Sequence, residues 1–145
     1  MKISTKGRYA LCLLTDLAEH RNDGYISLKE ISERQNISKK YLEQIIPMFS
    51  KTDVLKANRG ALGGYMLAKD PDKYSVGEIL RITEGSLSPV DYIDEEPIEC
   101  ERTADYAMLS MWQGLSKLIN DYLDGITLAD LVEKQREQYA NDYMI

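Results

Sequence analysis

Arg59 stands beside Gly60, Gly63 and Gly64 in "NRGALGGYML", residues 58–67. A guanidinium on a glycine-rich turn suggests phosphate binding, so that chemistry is tested first. A nucleotide phosphate loop needs a Lys-Ser or Lys-Thr pair opening a helix, and a dinucleotide site needs G-x-G-x-x-G after a strand. Here Tyr65, Met66, Leu67 and Ala68 follow, residues suited to a strand, so the glycines mark a hairpin tip. A second group, Ser38, Lys39, Lys40, Tyr41, Glu43 and Gln44, could read a nucleic-acid groove from one helix. Its lysines would meet phosphates, Gln44 would meet adenine, and Glu43 could accept from a cytosine amino group. Glu43 serves equally well as a solvated helix partner of Lys39 or Lys40. A third group, Lys2, Lys6 and Arg8, sits where a helix begins, a place its dipole makes unfavourable for cations unless an anion is near. A DNA phosphate would supply that anion; an ordinary basic terminus is the plainer reading. With no nucleophile–base pair, no H-E-x-x-H and no C-x-x-C, an enzyme is the least favoured class.

These groups need elements to hold them. Ala10, Leu13, Leu14, Leu17 and Ala18 recur at helical spacing, predicting a first helix over residues 5 to about 20. "SLKE" from Ser27 is a capping box that opens a second, short helix with Leu28 and Ile31 inward. Ser38 caps a third, with Tyr41, Leu42, Ile45, Ile46 and Phe49 on its buried side. Pro47 removes the bond to the Glu43 carbonyl and is expected to kink this helix toward solvent. "DVLKAN" alternates Leu55 and Ala57 with Lys56 and Asn58 before the glycine turn and "YMLA", a hairpin. Three helices followed by a hairpin make a winged helix-turn-helix. "SVGE" at Ser75 caps a fourth helix that ends at Gly85.

Beyond an irregular, proline-containing and acidic connector, Ala104, Met108, Met111, Leu115, Leu118 and Tyr122 form a stripe along a long helix. Ala107, Trp112, Ile119 and Leu123 widen it. A helix packed on its own domain would show such a stripe. Its breadth, with Trp112 and two methionines, favours burial against a second copy of the chain. "TLAD" caps a last short helix from Thr127, followed by a polar tail.

Composition bounds the reading. The 145 residues suffice for one domain with its own core, and two cysteines without an apolar leader or an 18-residue apolar run point to a soluble cytoplasmic protein. The net charge of -6 is unevenly placed. Residues 1–73 carry 13 Lys and Arg against 9 Asp and Glu, while residues 74–145 carry 5 against 15. A basic front half suggests that only the front meets a polyanion.

"MKISTKGRYAL", "YLEQIIP" and "RGALGGYMLAKDP" resemble the Rrf-type winged-helix repressors of bacteria, in order and spacing, over nearly the whole chain. The resemblance implies a homodimer crossed through the long helix, bound to a partly palindromic double-stranded DNA operator. The recognition helix would enter the major groove and the wing the minor groove. Arg59 then has a role, since glycines let the tip approach the duplex and one guanidinium suits a narrowed minor groove. Without the resemblance, a structural hairpin with an exposed arginine fits as well.

Cluster-binding members of that family carry three cysteines in the connector and the start of the long helix. Here the places read Tyr92, Cys100 and Tyr106, and one thiolate cannot hold a cluster that wants about four ligands. No cofactor and no metal site are therefore expected. Cys12 reads as a small core residue. Cys100 is expected exposed, its thiol pKa raised by acidic neighbours. His20 reads as a surface or capping residue near a helix end. The ending Tyr143, Met144, Ile145 resembles that of the family's cysteine-metabolism branch, which works with cysteine synthase; a frayed terminus reads the same way.

The expected fold is thus mainly α with a small β-hairpin wing. Residues 1–85 form the winged helix-turn-helix and 86–100 an acidic connector. Residues 101–139 hold the dimerisation helix and a short last helix, and 140–145 the tail. The expected function is a dimeric repressor of sulfur and cysteine metabolism. The rival is a regulatory interaction protein that binds a metabolic enzyme such as cysteine synthase, with weak or no operator binding.

Overall fold

A computed structural model describes residues 2–142. Six α-helices and one two-stranded hairpin are assigned there: α1 Thr5–Glu19, α2 Leu28–Gln35, α3 Lys39–Ile45, β1 Leu55–Asn58, β2 Gly64–Leu67, α4 Val76–Glu84, α5 Thr103–Asp124 and α6 Leu128–Asp142. Serines start the first four helices. The hydroxyls of Ser4, Ser27, Ser38 and Ser75 accept from the amides of Gly7, Glu30, Tyr41 and Glu78. Each satisfies one of the donors that a helix start leaves free, worth about 1 kcal/mol per cap. Asn36 in the left-handed region, φ 52°, ends α2 and turns the chain toward α3.

The core gathers the apolar faces that periodicity selects. Ala10, Leu13, Leu14 and Leu17 of α1, Ile31 of α2, Leu42 and Ile45 of α3, Phe49 and Leu67 are all almost fully buried. Burying one such leucine or isoleucine contributes about 1.5–3 kcal/mol. The hairpin is antiparallel, with Leu55 opposite Leu67 and Asn58 opposite Gly64. Tyr74 fixes its base: the buried phenol donates to the Asp53 carbonyl at 3.0 Å and accepts from the Lys69 amide at 2.9 Å.

Two expectations change. Pro47 does not kink a long third helix; α3 ends at Ile45 and the chain tightens into a 3₁₀ turn, Ile46–Phe49. Proline has no amide to continue the α ladder, and the turn still delivers Phe49 to the core. Ala57 is exposed, because the outer half of β1 projects from the body. The last helix is not short. α6 runs for 15 residues, its outer part a run of good helix formers, "EKQREQ". It also belongs to the main core. The Val76 amide bonds the Ile126 carbonyl at 2.8 Å and the Leu128 amide the Tyr74 carbonyl at 3.0 Å. Leu128 and Val132 are buried with the α1 residues, and Gln135 donates to Glu19 at 2.9 Å.

Candidate nucleic-acid interface

The wing is attached to the body through main chain. Ile26 and Tyr65 exchange two amide–carbonyl bonds, each 2.8 Å, so the chain before α2 is bridged to β2 at one residue pair. Gly64 permits this approach, since a Cβ there would stand 2.3 Å from the Ile26 carbonyl oxygen. The wing therefore stands at a fixed place relative to the start of α2. Between them opens a cleft of about 760 Å³, bordered by Lys29, Lys39, Phe49, Asn58, Arg59 and Gly60. Lys39 from the third helix and Arg59 from the wing thus face one space. Lys29 is a cation that sequence reasoning missed; the signal was its place just after the Ser27 cap, on the exposed side of α2.

On α3, Lys39, Lys40, Glu43 and Gln44 are exposed while Leu42 and Ile45 are buried. Lys39 Nζ lies 3.9 Å from Glu43, both side chains more than half exposed. Such a pair is worth little and is readily exchanged for other partners. The Ser38 hydroxyl is used as the cap of α3. Tyr41 is half-buried, and its ring meets Tyr9 edge-on at 5.3 Å. That contact draws the start of α1 toward the start of α3, and with it Arg8, whose guanidinium carbon is 6.0 Å from the Tyr9 centroid.

Lys2, Lys6 and Arg8 are exposed. The anion at the start of α1 is supplied within the chain: the Ser4 hydroxyl donates to Glu84 at 2.6 Å, so the carboxylate at the end of α4 sits over the positive end of the α1 dipole. Arg8 also donates to Thr5 Oγ1 at 3.1 Å.

α5 is held to the body most firmly near its end. Arg81 of α4 donates to Asn120 at 3.1 and 2.8 Å and to Asp124 at 2.8 Å. Ile119 and Leu123 pack against Val76, Leu80 and Leu87. Ile119, expected between two copies, is thus turned toward its own chain, because the 3.6-residue period carries it to the α4 side of the helix. Met108, Met111, Leu115, Leu118 and Tyr122 remain exposed, Leu118 and Tyr122 to 71% each. Ala104 is exposed and Trp112 half-buried. Tyr143, Met144 and Ile145 lie outside the described residues.

Cys100, expected exposed, is half-buried. Burial, reinforced by Asp105, pushes its thiol pKa above the ordinary value. Burial likewise raises Cys12, with Arg8 opposing. His20 caps the end of α1, its Nδ1 2.9 Å from the Asp16 carbonyl.

Three helices, a hairpin wing beside the third, and an outlying helix with an open apolar face define a winged helix-turn-helix regulator of transcription. The profile of the Rrf2 family, described as an iron-dependent transcriptional regulator, matches residues 3–134, and the chain belongs to that family. Over 132 residues it is 40% identical to the HTH-type transcriptional regulator CymR of Bacillus subtilis (strain 168), covering 90% of this chain and 89% of that one. Among solved structures, CymR (YrzC), the global cysteine regulator of B. subtilis, superposes with a TM-score of 0.79 at 36% identity, over 92% of this chain and 98% of that chain. T. potens IscR gives 0.75 at 38% identity, over 95% and 90%. These relatives are transcriptional regulators, not enzymes.

The family's iron finds poor donors here. Tyr92 spends its hydroxyl on the Asp105 carbonyl at 3.2 Å, Tyr106 is exposed, and Cys100 is a single thiol. Among the described residues no three His, Cys, Asp or Glu side chains gather as a metal site. This donor set does not fit an iron–sulfur cluster, which asks for about four ligands, most of them thiolates. No helix among the described residues is long and apolar enough to cross a membrane.

Proposed function

We propose that the chain is a dimeric, sequence-specific DNA-binding repressor of sulfur and cysteine metabolism, acting in the cytoplasm without an iron–sulfur cluster. The observation that carries this reading is the shared cleft, in which Lys39 of the third helix and Arg59 of the wing border one space. α3 lies in the major groove, where Lys39 and Lys40 meet phosphates and Glu43 and Gln44 meet base edges. Ser38 and Tyr41 set the start of that helix against the backbone. Arg59 and Gly60 enter the minor groove, and Lys2, Lys6 and Arg8 neutralise further phosphates.

Two copies pair through the exposed face of α5, from Ala104 to Tyr122, with Met108, Met111, Trp112, Leu115 and Leu118 between them. An exposed apolar face of this breadth is what a twofold contact covers. Twofold pairing presents two recognition helices to a partly palindromic operator. The link to cysteine is supported by similarity to a protein described as a global cysteine regulator. Residues 143–145 are the proposed contact for cysteine synthase.

The test is selection of duplexes from a randomised pool by the purified protein, repeated with cysteine synthase and O-acetylserine added. A partly palindromic motif is expected, with recovery that changes when the synthase is present. Synthase binding without any enriched motif would instead fit a regulatory interaction protein. If removal of residues 143–145 leaves the synthase effect intact, the tail contact is wrong.

A further inference from the structure

We infer that Leu62 is a specificity-determining residue of the wing, an apolar probe of the minor-groove floor that selects against guanine at the step it meets. This rests on the reading of the chain as a DNA-binding protein. Leu62 is 91% exposed, whereas Phe49, Val54 and Leu67 at the base of the same hairpin are buried.

The turn forces it outward. The Gly63 amide bonds the Gly60 carbonyl at 3.0 Å, which closes a tight turn with Ala61 and Leu62 outermost. Gly60 has φ +133°, a region that side-chain-bearing residues rarely enter, and a Cβ on Gly63 would stand 2.3 Å from the Asn58 carbonyl oxygen. Glycine on both sides therefore holds Leu62 at the tip, three residues from Arg59.

The chemistry of the pair is one-sided. In the minor groove an A·T pair shows only acceptors, adenine N3 and thymine O2, while a G·C pair adds the guanine amino donor. Arg59 carries donors and no acceptor, so it can satisfy the A·T floor while Leu62 lies against the apolar sugar edges. Neither side chain can accept from a guanine amino group, and covering that donor leaves it without a partner.

The experiment uses a duplex enriched from the randomised pool. Its wing-facing A·T pairs are replaced by G·C or by inosine·C, which lacks the amino group but keeps the major-groove edge of G·C. Wild-type protein should bind the A·T and inosine·C duplexes within about twofold of each other and G·C about tenfold more weakly. Leu62→Ser, which adds an acceptor at an exposed site, should bind all three within about threefold, with unchanged melting temperature and salt dependence. Inosine·C binding as weak as G·C, or a tenfold loss retained in Leu62→Ser, overturns the inference. Equal wild-type binding to the enriched duplex and a scrambled one overturns the DNA-binding reading itself.

Discussion

Arg34 grips the buried carboxylate of Asp16 with two bonds, Nε at 3.0 Å and Nη2 at 2.8 Å, and so fastens α2 to α1. Gln35 adds a third at 2.9 Å from the next position. Asp16 is 1% exposed, the one buried charged side chain in the core among the described residues. The clamp lies immediately before Asn36, where the chain turns into the third helix, so it ties the end of α2 to α1 just ahead of that turn.

Removing this carboxylate leaves Arg34 and Gln35 without their acceptor. Asp16→Ala should lower stability by about 2–4 kcal/mol, the lower part of the range for a broken buried pair because Arg34 is a third exposed and can regain water. Urea unfolding measures it. A loss under 1 kcal/mol would show that the clamp is incidental.

Arg59 tests the wing. It is exposed, so Arg59→Ala should leave folding unchanged. Affinity for the selected operator should fall by about 1–3 kcal/mol at fixed salt, and the salt slope should shrink by about one unit. Gel-shift titration at several salt concentrations gives both quantities; an unaltered affinity contradicts the placement of the wing.

The proposed dimer turns on α5. Leu118 is 71% exposed, so Leu118→Glu should be tolerated by the isolated chain. Placed in an apolar interface, the unpaired carboxylate should raise the dimer dissociation constant at least about a hundredfold. Sedimentation velocity would then show protomers where wild type shows pairs. Dimers that persist unchanged would move the interface elsewhere.

Cys100 offers a pH test. Burial and then Asp105 raise its thiol pKa, so the protonated, unreactive form persists to higher pH than for a free cysteine. Alkylation by iodoacetamide, followed by mass spectrometry of the Cys100 peptide, should be slower than for a model thiol at neutral pH. Its rate should climb with pH and level off at a higher pH than that of the model thiol. Fast alkylation near neutral pH would restore a redox role for this residue.

The elements were legible where their cause is local. Ser27, Ser38 and Ser75 announce helix starts because a cap acts over three residues, and the glycines of residues 60–64 announce a turn for the same reason. What sequence reading missed depends on distant partners. The reach of α6 and its place in the core depend on main-chain bonds from Val76 to Ile126 and Leu128 to Tyr74. The Asp16 clamp joins residues 18 apart, and Glu84 reaches Ser4 from 80 residues away. At the proposed interface, Lys39 and Arg59 were singled out by their types, yet their sharing of a cleft with Lys29 follows only from how Gly64 lets the wing dock on Ile26.

The central claim is that two copies of this chain read one duplex through the third helix and the wing. Fluorescence anisotropy titration of a pool-selected duplex against a scrambled one of equal length, at a single salt concentration, measures it directly. The account predicts two protomers per duplex and at least about a thousandfold preference for the selected sequence. One protomer per duplex, or equal affinity for both sequences, would contradict it.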